Sequence, residues 1–365
     1  YNLANELLES QRFDPNSYTF STLQSYLKKT SHNRIILSTE DFTHANLDQI
    51  KSLANYLNGY QVKIVVYLRR QDQILQSTWS QLVKSGRPLL PFNAWLDSYM
   101  HVASGQDTNK AIPRHRELSR ISKRLNYEHF IANYAQVFGE ENILIRSYER
   151  SSMNKNILAD FLQLIGMEDT SWIPTMHTSN VSPSMKSLEF SRQLAIAYQS
   201  KIKRESKNNQ IMMHIAEQVP DLRGDYVNLS IKIELYFLEL QELLDDLGWN
   251  NERINLINQA QYDQVMAFYK EGNDAVARTY LGRDELFREP FIDRPITSFD
   301  VKNFEAEEIM EVTQELVVKS LQLITTSELN TLKHVINERP SLKQEIKQLA
   351  RLLPSKIKLK VYKLL

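Results

Sequence analysis

The chain has 365 residues, of which 42% are hydrophobic and 24% charged, with 44 Lys and Arg balancing 44 Asp and Glu and no cysteine. Length and composition fit a globular protein with a substantial core in one large domain or two, and the missing cysteines exclude disulfides and thiolate catalysis. Balanced charge confines any anion site to a local patch and gives no reason to expect a nucleic-acid partner; no apolar run approaches the roughly 20 residues of a membrane span and no signal peptide opens the chain, so a cytoplasmic location is expected.

Tyr1–Ser10 and Ser17–Lys29 carry helical periodicity. The chain thus begins inside a helical pattern without an initiator methionine, which reads as an interior point of a longer protein. Arg34–Leu37 (RIIL) reads as a short buried strand ending in Ser38-Thr39-Glu40-Asp41, and Ala45–Leu57 as a helix with Gly59 as its cap. Val62–Leu68 is rich in β-branched residues and reads as a strand buried on both faces. Beyond Arg69 and Arg70, Asp72 opens a helical register in which Ile74, Leu75, Leu82 and Val83 share a face. Helices follow at Asn93–Met100 and Tyr127–Phe138, a polar loop at Ser104–Pro113, a third strand at Asn142–Arg146 and a helix at Lys155–Ile165. Short buried strands alternating with helices predict an α/β chain with a doubly wound parallel sheet.

From Thr170 to Ser184 the sequence is irregular. Beyond it, helices are expected at Lys186–Tyr198, Leu229–Leu247 and Tyr262–Tyr280, with Lys201–Asn209 as a polar link. Gly282–Phe299 is extended and proline-marked, and Ala306–Leu323 and Ser327–Leu353 are helical, with a break at Pro340. A boundary near Thr297 divides an α/β domain, 1–296, from a helical extension, 297–365. That extension carries nine Lys and Arg against two acids from Lys333 onward. Basic residues interleaved with Ile, Leu, Val and Tyr suit peripheral contact with an anionic membrane surface, and plain solvation of a terminal helix explains them as well.

The end of the Val62–Leu68 strand is the candidate anion site. In open α/β sheets ligands sit outside the carboxyl ends of strands. A helix N-terminus favours negative charge there, and guanidinium grips a phosphate with paired hydrogen bonds. Arg69 and Ser77 lie eight positions apart, one at the strand end and one inside the helix, a spacing that lets both reach one phosphate. The alternative is that Arg69 pairs with a surface acid such as Asp72 and Ser77 is a solvated helix position.

The run LRRQDxxxxSxWxQ after a hydrophobic strand resembles the 3′-phosphate-binding segment of sulfotransferases that use the activated sulfate donor PAPS. Ile35–Phe42 (IILSTEDF), Phe138–Glu149 (FGEENILIRSYE) with Asp160-Phe161 and Ile165-Gly166, Asn180–Ser184 and Gly272–Phe287 are similar to further segments of the bacterial branch of that family, in its order. The resemblance implies a P-loop-like fold, PAPS as donor and a hydroxyl or amine acceptor on a carbohydrate. It implies donor binding by Arg69 and Ser77, and it makes Glu40 the candidate general base, with His44 a weaker alternative. Glu40 could instead pair with a neighbouring arginine or cap the next helix.

One element of the family is missing: no glycine-rich turn followed by Lys-Ser/Thr, the cradle for the donor's phosphosulfate, occurs in residues 1–365. The expectation is that it precedes Tyr1; the alternatives are a non-catalytic nucleotide- or polyanion-binding relative and a glycosyltransferase. Asp245-Asp246 lies in a helical pattern and is a poor metal motif, and the histidines show no metal-ligand spacing, so no metal is expected. Arg146 is expected to pair with Glu149, and Tyr67 and Trp79 to pack in the core rather than flank an adenine. His115 between Arg114 and Arg116 forms a basic knot, either solvated or facing an anionic acceptor.

Overall fold

A computed structural model describes residues 2–10, 13–32, 34–87, 89–107, 110–149, 151, 157–167, 183–208, 240–249, 254–309 and 311–312. Two compact units divide the chain: Tyr1–Gln76, Pro91–His177 and Ile257–Arg294 form one, and Ser77–Leu90, Thr178–Leu256 and Pro295–Leu365 the other.

The first unit holds the sheet. β1 (Ile64–Leu68) and β2 (Ile143–Ser147) pair in parallel, from Ile64 opposite Ile143 to Leu68 opposite Ser147. Parallel neighbours need a long crossover, and the chain between them is helical. α1 (Asn2–Leu7), α2 (Phe20–Lys29) and α3 (Leu47–Tyr56) precede β1, and Phe20 stacks on Tyr56 with ring centres 4.4 Å apart. α3 starts at a reciprocal cap in which Asn46 and Gln49 each accept the other's backbone N–H at 2.9 Å, and it buries Ile50 and Leu53. α4 (Gln71–Lys84) follows β1, with its residues from Ser77 onward belonging to the second unit; the first unit continues with α5 (Phe92–Ala103), α6 (His115–Leu125) and α7 (Tyr127–Phe138). Gly139, with φ 89°, ends α7 and redirects the chain through a 3₁₀ turn into β2, a conformation open to glycine at little cost. α8 (Ile157–Leu164) and α10 (Gln259–Val276) complete the unit; α10 runs on into a π-helical turn, Ala277–Leu281, that closes at Gly282 with φ 60°.

In the second unit, α9 (Met185–Asn208) and the helical residues 240–246 bury Ala195, Leu240, Leu243 and Leu244 together with Val312. Trp249 meets Phe190 edge-on at 5.7 Å and stacks on Phe304 at 6.0 Å, with Lys186 over its face at 4.2 Å. Inside the same unit Arg192 grips both oxygens of Glu189 at 2.8 and 2.6 Å and donates to the Leu89 carbonyl at 3.1 Å.

The α/β class therefore stands, and among the described residues the sheet has two strands. Several expectations need correction. The strand expected over Val62–Leu68 begins at Ile64, and only Leu68 is buried; Ile64 to Tyr67 are half-buried. Arg34–Leu37 is not a buried strand: it forms no strand pairing with the described residues, with Ile35 39% and Ile36 56% exposed. A short apolar run becomes a strand only where a neighbour completes its ladder, and among the described residues none does. The link expected over Lys201–Asn209 is helical across its described residues, because α9 continues through Asn208. Helix α6 has no counterpart in the sequence reading. Most of Thr170–Ser184, most of the Leu229–Leu247 helix and nearly all of 297–365 past residue 312, including the basic tail, lie outside the described residues. Among those that are described, no helix is long and apolar enough to cross a membrane.

Candidate functional site at the carboxyl end of the first strand

At the end of β1 the two adjacent arginines separate. Arg70 is buried, 7% exposed, and clamps Asp72 with Nε to Oδ1 at 2.8 Å and a terminal nitrogen to Oδ2 at 3.2 Å. A third bond runs to the Glu289 carbonyl at 2.9 Å, and the guanidinium lies 4.9 Å above the Tyr262 ring, which stacks on Phe291. A buried charge held this way is fully occupied. Gln71, completely buried, exchanges two amide hydrogen bonds with Asn273 of α10 at 2.8 and 3.1 Å, fixing the start of α4.

Arg69 is held far more lightly. Its Nε donates to the Gln73 side chain at 2.9 Å, its carbonyl accepts the Tyr127 hydroxyl at 2.5 Å, and among the described residues no carboxylate stands within 4.0 Å of its guanidinium. The bland expectation that Arg69 pairs with Asp72 is thereby corrected, since Arg70 takes that acid. Burial pushes the Tyr127 phenol well above its ordinary value, and the neighbouring Arg124 and Arg69 act against that rise. Ser77 is half-buried on α4. Gln73 and Ser77 are spaced i, i+4, so helical periodicity gives them one face.

A strap from Gly282 to Phe291 also meets this end of the sheet. Glu149, buried just past β2, accepts the backbone N–H of Arg288 at 2.9 and 3.1 Å and of Glu289 at 2.7 Å. Arg283 donates to the Ser147 hydroxyl at 3.1 Å and to the Leu286 carbonyl at 2.6 Å. Arg146 therefore does not pair with Glu149; its Nε lies 3.6 Å from Asp160, which also accepts the Tyr67 hydroxyl. That bond ties Tyr67 into the unit, and burial with Asp160 raises its pKa. Trp79 is a core residue, 1% exposed, donating to the Leu90 carbonyl at 3.1 Å.

Glu40 is exposed and leads into the 3₁₀ turn Asp41–His44, where its carbonyl accepts the Thr43 hydroxyl at 2.7 Å. It follows the unpaired segment 34–39 rather than a buried strand. Tyr134 of α7 anchors the turn through a 2.8 Å bond to the Phe42 carbonyl. Desolvation and then Arg124 hold the His44 pKa below its ordinary value, which favours the neutral ring, the form able to accept a proton. The basic knot at 114–116 is partly spent: Arg114 pairs with Glu117 at 3.0 Å and His115 lies 3.9 Å from Asp107. A cleft of about 360 Å³ opens elsewhere in the unit, lined by Glu128, Gln136, Glu140, Tyr280 and smaller residues, with two carboxylates and no cation to favour a phosphate. Among the described residues no three His, Asp or Glu side chains gather as a metal site would require.

The chain is 26% identical over 261 residues to an uncharacterized protein of Archaeoglobus fulgidus, an alignment covering 69% of this chain and 55% of that protein. It thus spans about half the length of that relative. No family model matches, and no solved structure matches.

What the junction can do chemically follows from its charges. Arg70 and Asp72 cancel, the Glu149 carboxylate is held by backbone N–H groups, and Arg69 keeps a positive charge with only neutral hydrogen-bond partners. That favours an anion close to Arg69. The sequence reading missed Arg70 as a structural centre, although the Arg-x-Asp spacing was available; it gave Glu149 the wrong partner, Arg146, and it missed Gln71, the true partners of these two lying 139 to 140 and 202 residues away.

Proposed function

We propose that this chain is the donor-binding part of a PAPS-dependent sulfotransferase, with β1 and β2 as two strands of a larger P-loop-like, doubly wound sheet. The carrying observation is the contrast between the two arginines. Arg70 is consumed by Asp72, Glu289 and Tyr262, whereas Arg69 retains its charge at a strand end, one residue from a helix whose Gln73 face also bears Ser77. In this reading Arg69 and Ser77 hold the donor's 3′-phosphate, the guanidinium by paired charge-assisted bonds and the hydroxyl by one more. Glu40 accepts the proton of an acceptor hydroxyl or amine on a carbohydrate, and catalysis consists of positioning and charge stabilisation around an in-line transfer. Since residues 1–365 contain no glycine-rich turn followed by Lys-Ser/Thr, a second reading is binding of the nucleotide without turnover by this stretch.

The test is calorimetry with adenosine 3′,5′-bisphosphate. Wild type binds, and Arg69→Ala weakens binding by about 10- to 150-fold, the range expected from losing a charged hydrogen bond of about 1.5–3 kcal/mol. Equal affinities, or no binding to either protein, reject the assignment. Turnover of PAPS by the full-length gene product separates the enzyme from the binding module.

A further inference from the structure

Helix α6 buries Leu118, Ile121 and Leu125 and exposes Arg116, Arg120 and Lys123. Arg116 and Arg120 are exposed and Arg124 is half-buried. The three arginines recur at i, i+4 and i+8, a single row with steps of about 6 Å along the helix. Like charges at that spacing destabilise a helix, and here nothing compensates: among the described residues no carboxylate lies within 4.0 Å of Arg116, Arg120 or Arg124. The one acid on the helix, Glu117, is turned to Arg114 at 3.0 Å.

The row has a direction. At its C-terminal end the Leu125 carbonyl accepts Gln71 at 3.4 Å, and Tyr127, two residues on, donates to the Arg69 carbonyl at 2.5 Å. Arg124 and Arg69 both act on that Tyr127 hydroxyl, while Arg124 and Arg120 both act on His44 in the turn after Glu40. The uncompensated charges thus run from open surface toward the place where Arg69 emerges.

We infer that the Arg116–Arg120–Arg124 row of α6 is a docking ridge for a linear anionic polysaccharide. Guanidinium forks match carboxylate and sulfate oxygens, and a repeating polyanion answers a repeating row of cations. Single-stranded nucleic acid is the poorer fit, because it is held by aromatic stacking platforms and α6 carries no Phe, Tyr or Trp. The inference deepens the sulfotransferase reading, and rests on it, only in making the polysaccharide the acceptor; the binding itself stands apart from the donor site.

Fluorescence anisotropy with fluorescein-labelled dextran sulfate tests it, with neutral dextran and oligo-thymidylate as comparators. The variants are Arg116→Ser/Arg120→Ser and, as a charge-matched control on an exposed part of α2, Lys28→Ser/Lys29→Ser. The ridge variant should fold as wild type, since both side chains are exposed. It should bind dextran sulfate at least tenfold more weakly, with a log–log salt slope reduced by about two. The control should stay within twofold, and neutral dextran should not bind. No binding of dextran sulfate, equal losses in ridge and control variants, or tighter ridge-dependent binding of oligo-thymidylate overturns the inference. If adenosine 3′,5′-bisphosphate fails to bind while dextran sulfate binding still depends on the ridge, the donor assignment falls and the ridge stands.

Discussion

The clasp around Arg70 and the ridge on α6 use the same side-chain chemistry in opposite ways. In the clasp every charge has a partner: Arg70 with Asp72, Glu149 with the N–H groups of Arg288 and Glu289. On the ridge, Arg116 and Arg120 are exposed, and among the described residues no carboxylate lies within 4.0 Å of either. Buried charge must be satisfied internally or it unfolds the protein, whereas exposed charge costs little and remains available to a ligand. Stability should therefore be concentrated in the clasp and binding in the ridge and Arg69.

The largest effect expected is from Asp72→Ala, which strands the Arg70 guanidinium in a buried position. Losing one member of such a pair costs about 3–5 kcal/mol. Urea unfolding measures it, and a loss below about 1 kcal/mol, the scale of an exposed pair, would erase the contrast between the two regions. Next comes Glu149→Gln, which keeps the shape but removes the charge received by the strap. About 1.5–3 kcal/mol should go, the worth of hydrogen bonds to a charged group. Trypsin should then cut after Arg288 faster than in wild type; unchanged cleavage would mean that the strap does not depend on Glu149.

The smallest effect sits beside the ridge. The folded pKa of His44 is held below its unfolded value, by burial and then by Arg124, so as pH falls the unfolded chain takes up the proton first. The unfolded state binds more protons there, and stability rises with pH through that window and is flat above it. Unfolding measured between pH 7 and pH 5 should show this slope, and His44→Asn should flatten it. Added salt should reduce the part owed to Arg124 and Arg120.

Much of the site's frame was legible locally. The change from Leu68 to Arg69-Arg70 marked the strand end, and Asp72 marked the helix start. Tyr127–Phe138 with Gly139 was readable to the residue, because cap and periodicity agree. α6 was not, since four Arg and Lys and two Ser dilute its apolar stripe to Leu118, Ile121 and Leu125, although these keep helical spacing. Arg34–Leu37 and Ile143–Ser147 look alike as apolar runs, yet only the second has β1 beside it.

By itself the sequence determined what depends on near neighbours: helix caps, strand ends, and two arginines placed where a strand stops. Tertiary structure alone decided which arginine is spent, because Tyr262 and the Glu289 carbonyl come from far along the chain, the latter 219 residues beyond Arg70. It also brought α6 to the junction through Tyr127 and Leu125. Charge compensation depends on distance in space, and a sequence specifies that distance only once the chain has folded.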